Sequence, residues 1–180
     1  MVQLQSRPTG IGAVAGRPRR SLLMMLVMLC AAAVSVVVVP SPAKALPGEN
    51  YLRNWRTGRC LDANDRGYVY TLPCSMPVKS NRYQLWRPIH QGSLDGRDLV
   101  ILQHVKTGNC VQANTGGFTA LSQCNSAQST QWKVAGGSDW YQVTLVNRFS
   151  GQCLDGNVQG SVYGHACIAG NGYQQWRLGY

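Results

Sequence analysis

The sequence lacks the short motifs that mark common catalytic and metal sites. It contains no Gly-x-Ser-x-Gly and no His-Glu-x-x-His, which argues against the usual serine hydrolases and zinc peptidases. It also has no Cys-x-x-Cys, and His90, His104 and His165 stand at unrelated positions, so a zinc site is disfavoured. Only seven residues are acidic and they are dispersed, whereas a glycosidase needs two carboxylates facing one bond. We therefore predict a protein that is not an enzyme and holds no metal or other cofactor.

Acidic residues are scarce beside basic ones, yet the sequence has no basic run. The chain carries 17 Lys and Arg and a formal net charge of +10. Five of the 17 precede position 46, which leaves 12 against seven acids, a net of +5, for the rest of the chain. These 12 are scattered, unlike a stretch that follows a phosphate backbone. A solvated basic surface is favoured over nucleic-acid binding, and a weak attraction to anionic cell-wall polymers remains open.

The one long apolar run lies near the N-terminus. Ser21 to Val39 is almost unbroken, Pro40 ends it, and Ala43-Lys44-Ala45 has the small-x-small pattern that signal peptidases cleave. We predict a signal peptide over residues 1–45 and a secreted, extracellular domain over 46–180 that has no membrane attachment after cleavage. The alternative is an uncleaved membrane anchor, since about 20 apolar residues span a bilayer. An Arg-Arg pair before the run leaves the general and twin-arginine export routes both open.

The cysteines fall into equally spaced pairs. Cys30 lies inside the apolar run and is expected to be lost with it. The other six form three pairs, each 14 residues apart: Cys60 and Cys74, Cys110 and Cys124, Cys153 and Cys167. Six cysteines allow about 15 pairings on paper. The equal spacing predicts that each pair closes within its own unit, and export to an oxidising compartment permits these disulfides.

The cysteine pairs mark a threefold internal repeat. In each unit a leucine stands eight residues before the first cysteine, and a Ser/Thr-Gly pair typical of a hairpin turn stands shortly before it. A tryptophan closes each unit, and we expect Trp86, Trp132 and Trp176 to share one core. The repeats lie at about 48–92, 97–137 and 140–180. Such units cannot bury an apolar face alone and must pack together.

Between these landmarks the chain alternates apolar and polar residues, as in residues 68–72 and 141–145. This alternation is the strand period, and no segment after residue 46 has a convincing helical period. The sequence therefore predicts an all-β body with three lobes. A propeller or solenoid is the alternative fold, although three units are too few to close a propeller.

Two units carry a Gly-x-Cys-Leu-Asp element, at residues 58–62 and 151–155, followed by a second cysteine and a Gln-x-Trp. This combination resembles the ricin B-type lectin family over about residues 51–180. The resemblance implies a β-trefoil of three four-stranded repeats with pseudo-threefold symmetry and a sugar pocket in each lobe. Saccharides or glycoconjugates are the expected partners.

The resemblance also implies which residues bind sugar. In that family the Asp of Cys-Leu-Asp accepts bonds from sugar hydroxyls, and an aromatic residue two before the second cysteine stacks on the ring. A Gln often stands four before that cysteine, and an Asn precedes the Gln-x-Trp. The third lobe fits best, with Asp155, Tyr163, His165, Tyr173 and Gln174. The shorter cysteine spacing suggests a trimmed pocket wall.

The other two lobes depart further from the family pattern. The first lobe keeps Asp62 and has Tyr70 in a pocket position, but Leu72 holds the stacking position and Tyr83 replaces the Asn. The middle lobe has Gln112 for the acid and Ser122 for the aromatic, so we expect no typical pocket there.

Several alternatives stay open at the sequence level. The two aspartates can instead cap turns, His165 can be an ordinary exposed loop residue, and Gln84 and Gln174 can be structural, beneath the pockets. The predicted function is a secreted, non-catalytic carbohydrate-binding module. The alternative is a degenerate trefoil that acts as an adaptor or accessory subunit for another secreted protein, as in a toxin assembly. A trefoil protease inhibitor is a further possibility that fold alone supports weakly.

Overall fold

The computed structural model describes residues 48–137 and 139–179. The predicted signal peptide at 1–45, with Cys30, lies outside the described residues. Within the described ranges, no helix is long and apolar enough to cross a membrane. Twelve strands make up the described chain: β1 Asn50–Asn54, β2 Cys60–Ala63, β3 Val69–Leu72, β4 Leu85–Leu94, β5 Arg97–His104, β6 Cys110–Ala113, β7 Thr119–Ser122, β8 Gln131–Gly136, β9 Val143–Asn147, β10 Cys153–Gly156, β11 Val162–His165 and β12 Gln175–Leu178. Three single-turn 3-10 helices precede β4, β8 and β12: Arg82–Gln84, Gln128–Thr130 and Gly172–Gln174.

Six strands close into an antiparallel barrel. The order around it is β1, β4, β5, β8, β9 and β12, and β12 pairs back to β1 with Leu52 opposite Leu178. Closure leaves the barrel without an edge strand, which removes the surface on which another chain could add a strand. Each repeat contributes two strands, so the all-β trefoil prediction is confirmed.

The other six strands form three hairpins over one end of the barrel, and together these hairpins are called the cap. The hairpins β2–β3, β6–β7 and β10–β11 each pair four residues with four. A ring of backbone bonds joins them: Thr71 N to Gly160 O at 2.8 Å, Leu121 N to Gly67 O at 2.8 Å and Gly164 N to Gly117 O at 2.7 Å. A Cβ on Gly117, which has φ +82°, would collide with the Gly164 carbonyl oxygen, so this contact requires glycine.

The three disulfides join Cys60 to Cys74, Cys110 to Cys124 and Cys153 to Cys167, which confirms one bond within each repeat. Each first cysteine begins the first strand of a cap hairpin, and its partner follows the second strand. The bond therefore ties the hairpin to the segment that leads back into the barrel. Restricting a loop of this length contributes about 3 kcal/mol in the chain-entropy model.

The three tryptophans that close the repeats are fully buried in one core cluster. Their indole nitrogens donate to the carbonyl oxygens of Leu61, Val111 and Leu154 at 2.9, 3.0 and 2.9 Å. Each bond satisfies a buried donor and fixes a hairpin on the barrel. Trp140, which the repeat pattern did not mark, is also buried in this cluster.

A buried polar residue ends β1, β5 and β9 and joins each repeat to its neighbour around the barrel. Asn54 Nδ2 donates to Tyr173 O at 2.7 Å, and Asn147 Nδ2 donates to Ser129 O at 2.8 Å. His104 takes this place in the middle repeat, with Nε2 at 3.0 Å from Tyr83 O. Burial lowers the pKa of His104, and the bond to Tyr83 offsets part of that shift. Folding therefore favours the neutral form of His104.

Candidate functional site

The third repeat carries a shallow pocket of about 320 Å³. Its lining residues are Asp155, Asn157, Val158, Tyr163, His165, Ile168, Asn171 and Tyr173. Four of the predicted site residues therefore lie together. The register of β10 and β11 explains this placement, because Asp155 stands opposite Tyr163 and Cys153 stands opposite His165. Tyr163 and His165 are two residues apart in β11 and share one face of the hairpin.

Asp155 lies at the base of this pocket and is 5% exposed. Burial raises the pKa of its carboxyl, while a hydrogen bond from Gln174, the nearby His165 and a hydrogen bond from Tyr163 oppose the shift. The hydrogen bonds thus hold the carboxyl in a fixed orientation, while burial makes its ionised form less stable than it is in water. A buried, oriented carboxylate is a strong acceptor for hydroxyl groups that enter the pocket.

Gln174 lies beneath the pocket and is not among its lining residues. Its Nε2 donates to Ala166 O at 2.8 Å, and its Oε1 accepts from Ile168 N at 2.8 Å. It also hydrogen-bonds to the Asp155 carboxyl. Gln174 therefore positions Asp155 and the loop that carries Ile168, and it reaches a ligand only through them.

The rim of the third-repeat pocket is apolar and aromatic. Val158 and Ile168 are 58% and 54% exposed, although both are aliphatic. The rings of Tyr163 and His165 meet edge to face, with centroids 6.3 Å apart. Together with Tyr173, these groups surround the carboxylate with apolar surface that suits the C–H face of a ring.

The first repeat has a related pocket of about 290 Å³. Asp62 lies at its base, 2% exposed, where burial raises the pKa of the carboxyl and bonds from Gln84 and Tyr70 oppose the shift. Across its mouth, the Tyr83 hydroxyl donates to Asp65 Oδ2 at 2.8 Å. Val158 holds the position of Asp65 in the third repeat, so no equivalent bond crosses that pocket. The first pocket is therefore partly occupied by its own side chains.

The middle repeat lacks the side chains that build the other two pockets. Gln112 stands opposite Ala120, where the third repeat has Asp155 opposite Tyr163. Ser122 takes the place of His165, and its buried hydroxyl has no hydrogen-bond partner. The carboxylate and both rings of the third repeat are thus absent from these positions.

The turns after both aspartates are capped by asparagines. Asn64 Oδ1 accepts from Arg66 N at 3.0 Å and from Tyr68 N at 3.1 Å, and Asn157 Oδ1 accepts from Ser161 N at 2.9 Å. Both asparagines also line the pockets, which the sequence analysis did not predict. The signal was present, because each repeat has Asn two residues after the Asp or Gln position.

Among residues 48–137 and 139–179, no group of three or more His, Cys, Asp or Glu is placed to hold a metal ion. The third-repeat pocket therefore offers a carboxylate, two amides and aromatic or aliphatic surface as its binding groups. This set can hold a small ligand that is rich in hydroxyl groups.

Comparison with known proteins places the chain in a structural context. The model of the family described as "Ricin-type beta-trefoil lectin domain" matches residues 48–176. Among solved structures, the chain is similar to ThreeFoil, a designed protein with threefold symmetry, at 22% identity and a TM-score of 0.59. That match covers 73% of this chain and 98% of the designed one. Among curated proteins, none matches the sequence.

A second similar structure is a GlcNAcα1-4Gal-releasing endo-β-galactosidase from Clostridium perfringens, at 19% identity and a TM-score of 0.59. The match covers 73% of this chain but only 32% of the enzyme's chain. At these identities both likenesses show the fold alone.

Proposed function

Because the chain belongs to the ricin-type β-trefoil lectin domain family, we propose that it is a secreted, non-catalytic carbohydrate-binding module whose third repeat holds the main saccharide site. The observation that carries this proposal is the oriented carboxylate of Asp155 at the base of a pocket with an apolar rim. Secretion is supported by the N-terminal sequence, which predicts cleavage after Ala45.

The contacts around Asp155 suit a pair of neighbouring sugar hydroxyls. The carboxylate accepts from both hydroxyls, and charged acceptors make the stronger hydrogen bonds. Asn157 and Asn171 stand on the lining with amide groups that both donate and accept. Tyr173 and Ile168 cover the apolar face of the ring. Gln174 holds the acid in place, so the site is preorganised and a ligand has less ordering to do.

The first repeat is proposed as a second, weaker site. It repeats the carboxylate and tyrosine of the third repeat with Asp62 and Tyr70, but Leu72 replaces the stacking ring. A sugar that enters this pocket also competes with the Tyr83–Asp65 bond across its mouth. Two sites on one chain raise the apparent affinity for a multivalent surface.

A binding role without catalysis is supported by the charges at the main site. Asp155 is the single acid among the described residues that line the third-repeat pocket. Glycoside hydrolysis needs an acid and a second carboxylate on either side of one bond. The similar endo-β-galactosidase is much longer than this chain, and the match covers only 32% of it.

One observation favours a protein partner as the second candidate function. Tyr68 and Phe118 stand at the tips of two cap hairpins, and each is 58% exposed. Both take part in the bridges that join neighbouring hairpins, because Tyr68 pairs with Ala120 and Phe118 pairs with Tyr163. Exposed aromatic residues that converge on one face are typical of protein interfaces, so an adaptor would use the cap.

A glycan array tests the sugar proposal against the adaptor. The mature chain, residues 46–180, is applied beside Asp155→Ala, Asp62→Ala and the exposed control Asp95→Ala. We expect saccharide binding that Asp155→Ala removes, Asp62→Ala weakens and Asp95→Ala leaves unchanged. In parallel, tagged protein is recovered from culture supernatant with and without a Tyr68→Ala/Phe118→Ala pair. The adaptor proposal would replace the lectin proposal if no glycan binds and a protein co-purifies with the wild type but not with the double variant.

Secretion has its own test. Full-length protein expressed in an exporting host is expected in the medium with Leu46 as its first residue, as read by N-terminal sequencing. Uncleaved protein in the membrane fraction would instead support the anchor alternative.

A further inference from the structure

Trp55 differs from the other tryptophans of the chain because its ring reaches the surface. It is 40% exposed, whereas the remaining four are each at most 1% exposed: Trp86, Trp132, Trp140 and Trp176. Trp55 lies in the turn between β1 and β2 and lines a cavity of about 200 Å³ between the first and third repeats. The family pattern in the sequence does not mark this position, so an unassigned aromatic surface stands between two repeats.

The turn that carries Trp55 is bonded to the segment that carries Tyr173. Trp55 N donates to Gln175 O at 2.8 Å, and Arg56 N donates to Gly172 O at 3.1 Å. These two carbonyl groups lie on either side of Tyr173 in the chain, and Tyr173 lines the third-repeat pocket. The backbone bonds therefore hold a turn of the first repeat beside the pocket of the third.

Gly172 places no side chain between Tyr173 and Trp55. A Cβ added to Gly172 would lie 3.7 Å from Trp55 Cδ1 and 3.2 Å from Arg56 Cβ, so the two segments touch here. The Arg56 guanidinium lies 6.0 Å from the centre of the Tyr173 ring. Tyr173, Arg56 and Trp55 are thus neighbours along one surface, which we call the seam strip.

The Trp55 ring is held in place by neighbouring side chains. It meets the Tyr141 ring edge to face, with centroids 5.3 Å apart. The Arg177 guanidinium lies 4.8 Å from the centre of the same Tyr141 ring. Arg53 stands opposite Arg177 in the barrel, and its Nε donates to Gly58 O at 2.8 Å. The walls of the cavity are therefore engaged in contacts of their own, and the indole has less freedom to lose when a ligand packs on it.

The equivalent turns of the other two repeats differ at the same positions. Val105 replaces Trp55 in the second repeat, and Arg148 replaces it in the third. In the first repeat, Arg82 takes the place of Gly172, and its Nη2 donates to Val105 O at 3.3 Å. A long side chain therefore covers the strip beside the first-repeat pocket. The exposed ring and the gap coincide beside the third-repeat pocket.

The groups along the seam strip suit a sugar ring that follows the one in the pocket. An indole offers a large rigid surface to the apolar C–H face of a pyranose. A guanidinium offers several N–H donors to hydroxyl groups. Among the described residues, no hydrogen bond or ion pair uses the Arg56 guanidinium, so its donors are available to a ligand.

We infer that the seam strip is an outer subsite, where a second sugar ring packs on Trp55 while the first occupies the third-repeat pocket. The ligand class is therefore an oligosaccharide of two or more pyranose rings rather than a single sugar. This inference rests on the proposed function, because the inner ring is placed at Asp155. The first-repeat pocket, beside Val105 and Arg82, holds a single ring.

Tryptophan fluorescence reports on the outer subsite selectively, because the other four tryptophans are buried. The mature protein, residues 46–180, is titrated with single sugars and their trisaccharides. The pairs are xylose and xylotriose, glucose and maltotriose, N-acetylglucosamine and chitotriose, and galactose and galactotriose. We expect at least one trisaccharide to shift or quench the Trp55 emission and to bind about tenfold more tightly than its single sugar.

Variants at Trp55 separate the two sugar rings, with affinities measured by calorimetry. Trp55→Ala should lower the affinity for the trisaccharide by about tenfold. It should change the affinity for the single sugar by less than about twofold, because the two rings bind at separate positions. Trp55→Phe keeps an aromatic surface, so it should lose the fluorescence signal but retain the trisaccharide affinity within about threefold.

Phe149→Ala is the matched control. Phe149 is an exposed aromatic residue in the corresponding turn of the third repeat, outside the seam strip. This variant should leave the affinities for the single sugar and the trisaccharide unchanged. Thermal melts show whether each variant folds, and the comparison of wild-type titrations does not depend on any variant.

Three results would overturn the inference. The first is a Trp55 emission that none of the four trisaccharides changes. The second is an equal loss of single-sugar and trisaccharide affinity in Trp55→Ala, which would give Trp55 a structural role only. The third is an equal loss of trisaccharide affinity in Phe149→Ala.

Asp155→Ala distinguishes failure of this inference from failure of the proposed function. The variant should lose single-sugar binding and keep at most a weak Trp55 response to the trisaccharide. Binding that depends on Asp155 without any Trp55 response would remove the outer subsite and leave the proposed function standing. A Trp55 response that Asp155→Ala leaves unchanged would remove Asp155 from the site and overturn the continuous two-ring site.

Discussion

Replacement of Asp155 by Asn is expected to weaken binding and to stabilise the protein at the same time. The substitution keeps the shape of the side chain and removes its charge. Since a hydrogen bond to a charged group contributes about 1.5–3 kcal/mol, loss of the charged acceptor should lower the affinity for a saccharide by tenfold to a hundredfold, in order of magnitude. The carboxyl is only 5% exposed, so its ionised form is costly in the folded state.

The sign of the stability change follows from the pKa. Burial holds the pKa of Asp155 above its ordinary value of 3.8 in the folded protein. Between the ordinary and the raised pKa the folded state binds more protons than the unfolded chain, so stability falls as pH rises through this window. The wild type carries the full cost at neutral pH, and the Asn variant does not. The variant should therefore melt at a higher temperature at pH 7, and the difference should vanish below pH 3.8.

Two assays check this prediction, isothermal titration calorimetry with the best array glycan and melting curves from pH 3 to pH 8. Asp95→Asn is the matched control, because Asp95 is exposed and pairs with Lys133 at the surface. An Asp155→Asn variant that binds as tightly as the wild type would refute the role of the carboxylate. A variant that melts no higher than Asp95→Asn at pH 7 would refute the argument from burial.

Three further predictions concern the scaffold. Because burial lowers the pKa of His104 from 6.5, the free energy of unfolding should fall as the pH drops below 6.5, by at most about 1.4 kcal/mol per pH unit. His104→Asn introduces the residue that the other two repeats have at this position. In denaturant titrations this variant should show a weaker dependence of stability on pH below 6.5. Gly117→Ala should lower the free energy of unfolding by about 2 kcal/mol or more, because it adds a backbone collision to a positive φ. The control Gly108→Ala changes a residue with a similar φ of +75° and no atom within 4 Å of the added Cβ, so it should lower stability by about 1 kcal/mol. Equal losses of stability in the two variants would contradict the close contact at Gly117. Joint replacement of Cys110 and Cys124 by Ala should cost about 3 kcal/mol in chemical denaturation, and an unchanged midpoint would show that the bond is dispensable.

The fold could be predicted from the sequence because the signal is repeated three times. One Cys–Cys spacing or one closing tryptophan is weak, but three copies in the same order leave few architectures. The in-repeat disulfides followed from the same spacing, and the structure has all three. Patterns within a repeat are local, so a linear sequence displays them directly.

Contacts between repeats were not predictable in the same way. Asn54, His104 and Asn147 each bond to a carbonyl of a neighbouring repeat, and all three partners lie 18 or more residues away in sequence. The facing arginines at 53 and 177 meet only because the last strand of the barrel pairs with the first. Such contacts depend on closure of the barrel, and no residue spacing in the sequence predicts which strands close it.

The candidate site was predictable in part, for a related reason. The register of the short hairpin formed by β10 and β11 places Asp155 opposite Tyr163, and the family pattern marks both positions. Gln174 was assigned to the site, and the structure places it one layer below, where it orients the acid. Val158 and Ile168 lie in loops, where apolar side chains follow no regular period. Their place on the rim of the third-repeat pocket is therefore visible only in the three-dimensional structure.

Chemical-shift mapping tests the central claim most directly. Isotopically labelled mature protein is titrated with the saccharide that binds best, and the perturbed amide signals are assigned. The account predicts that the largest shifts fall on Asp155, Tyr163, His165 and Tyr173, with smaller shifts around Asp62. Shifts confined to the middle repeat, or an unchanged spectrum with every saccharide, would contradict it.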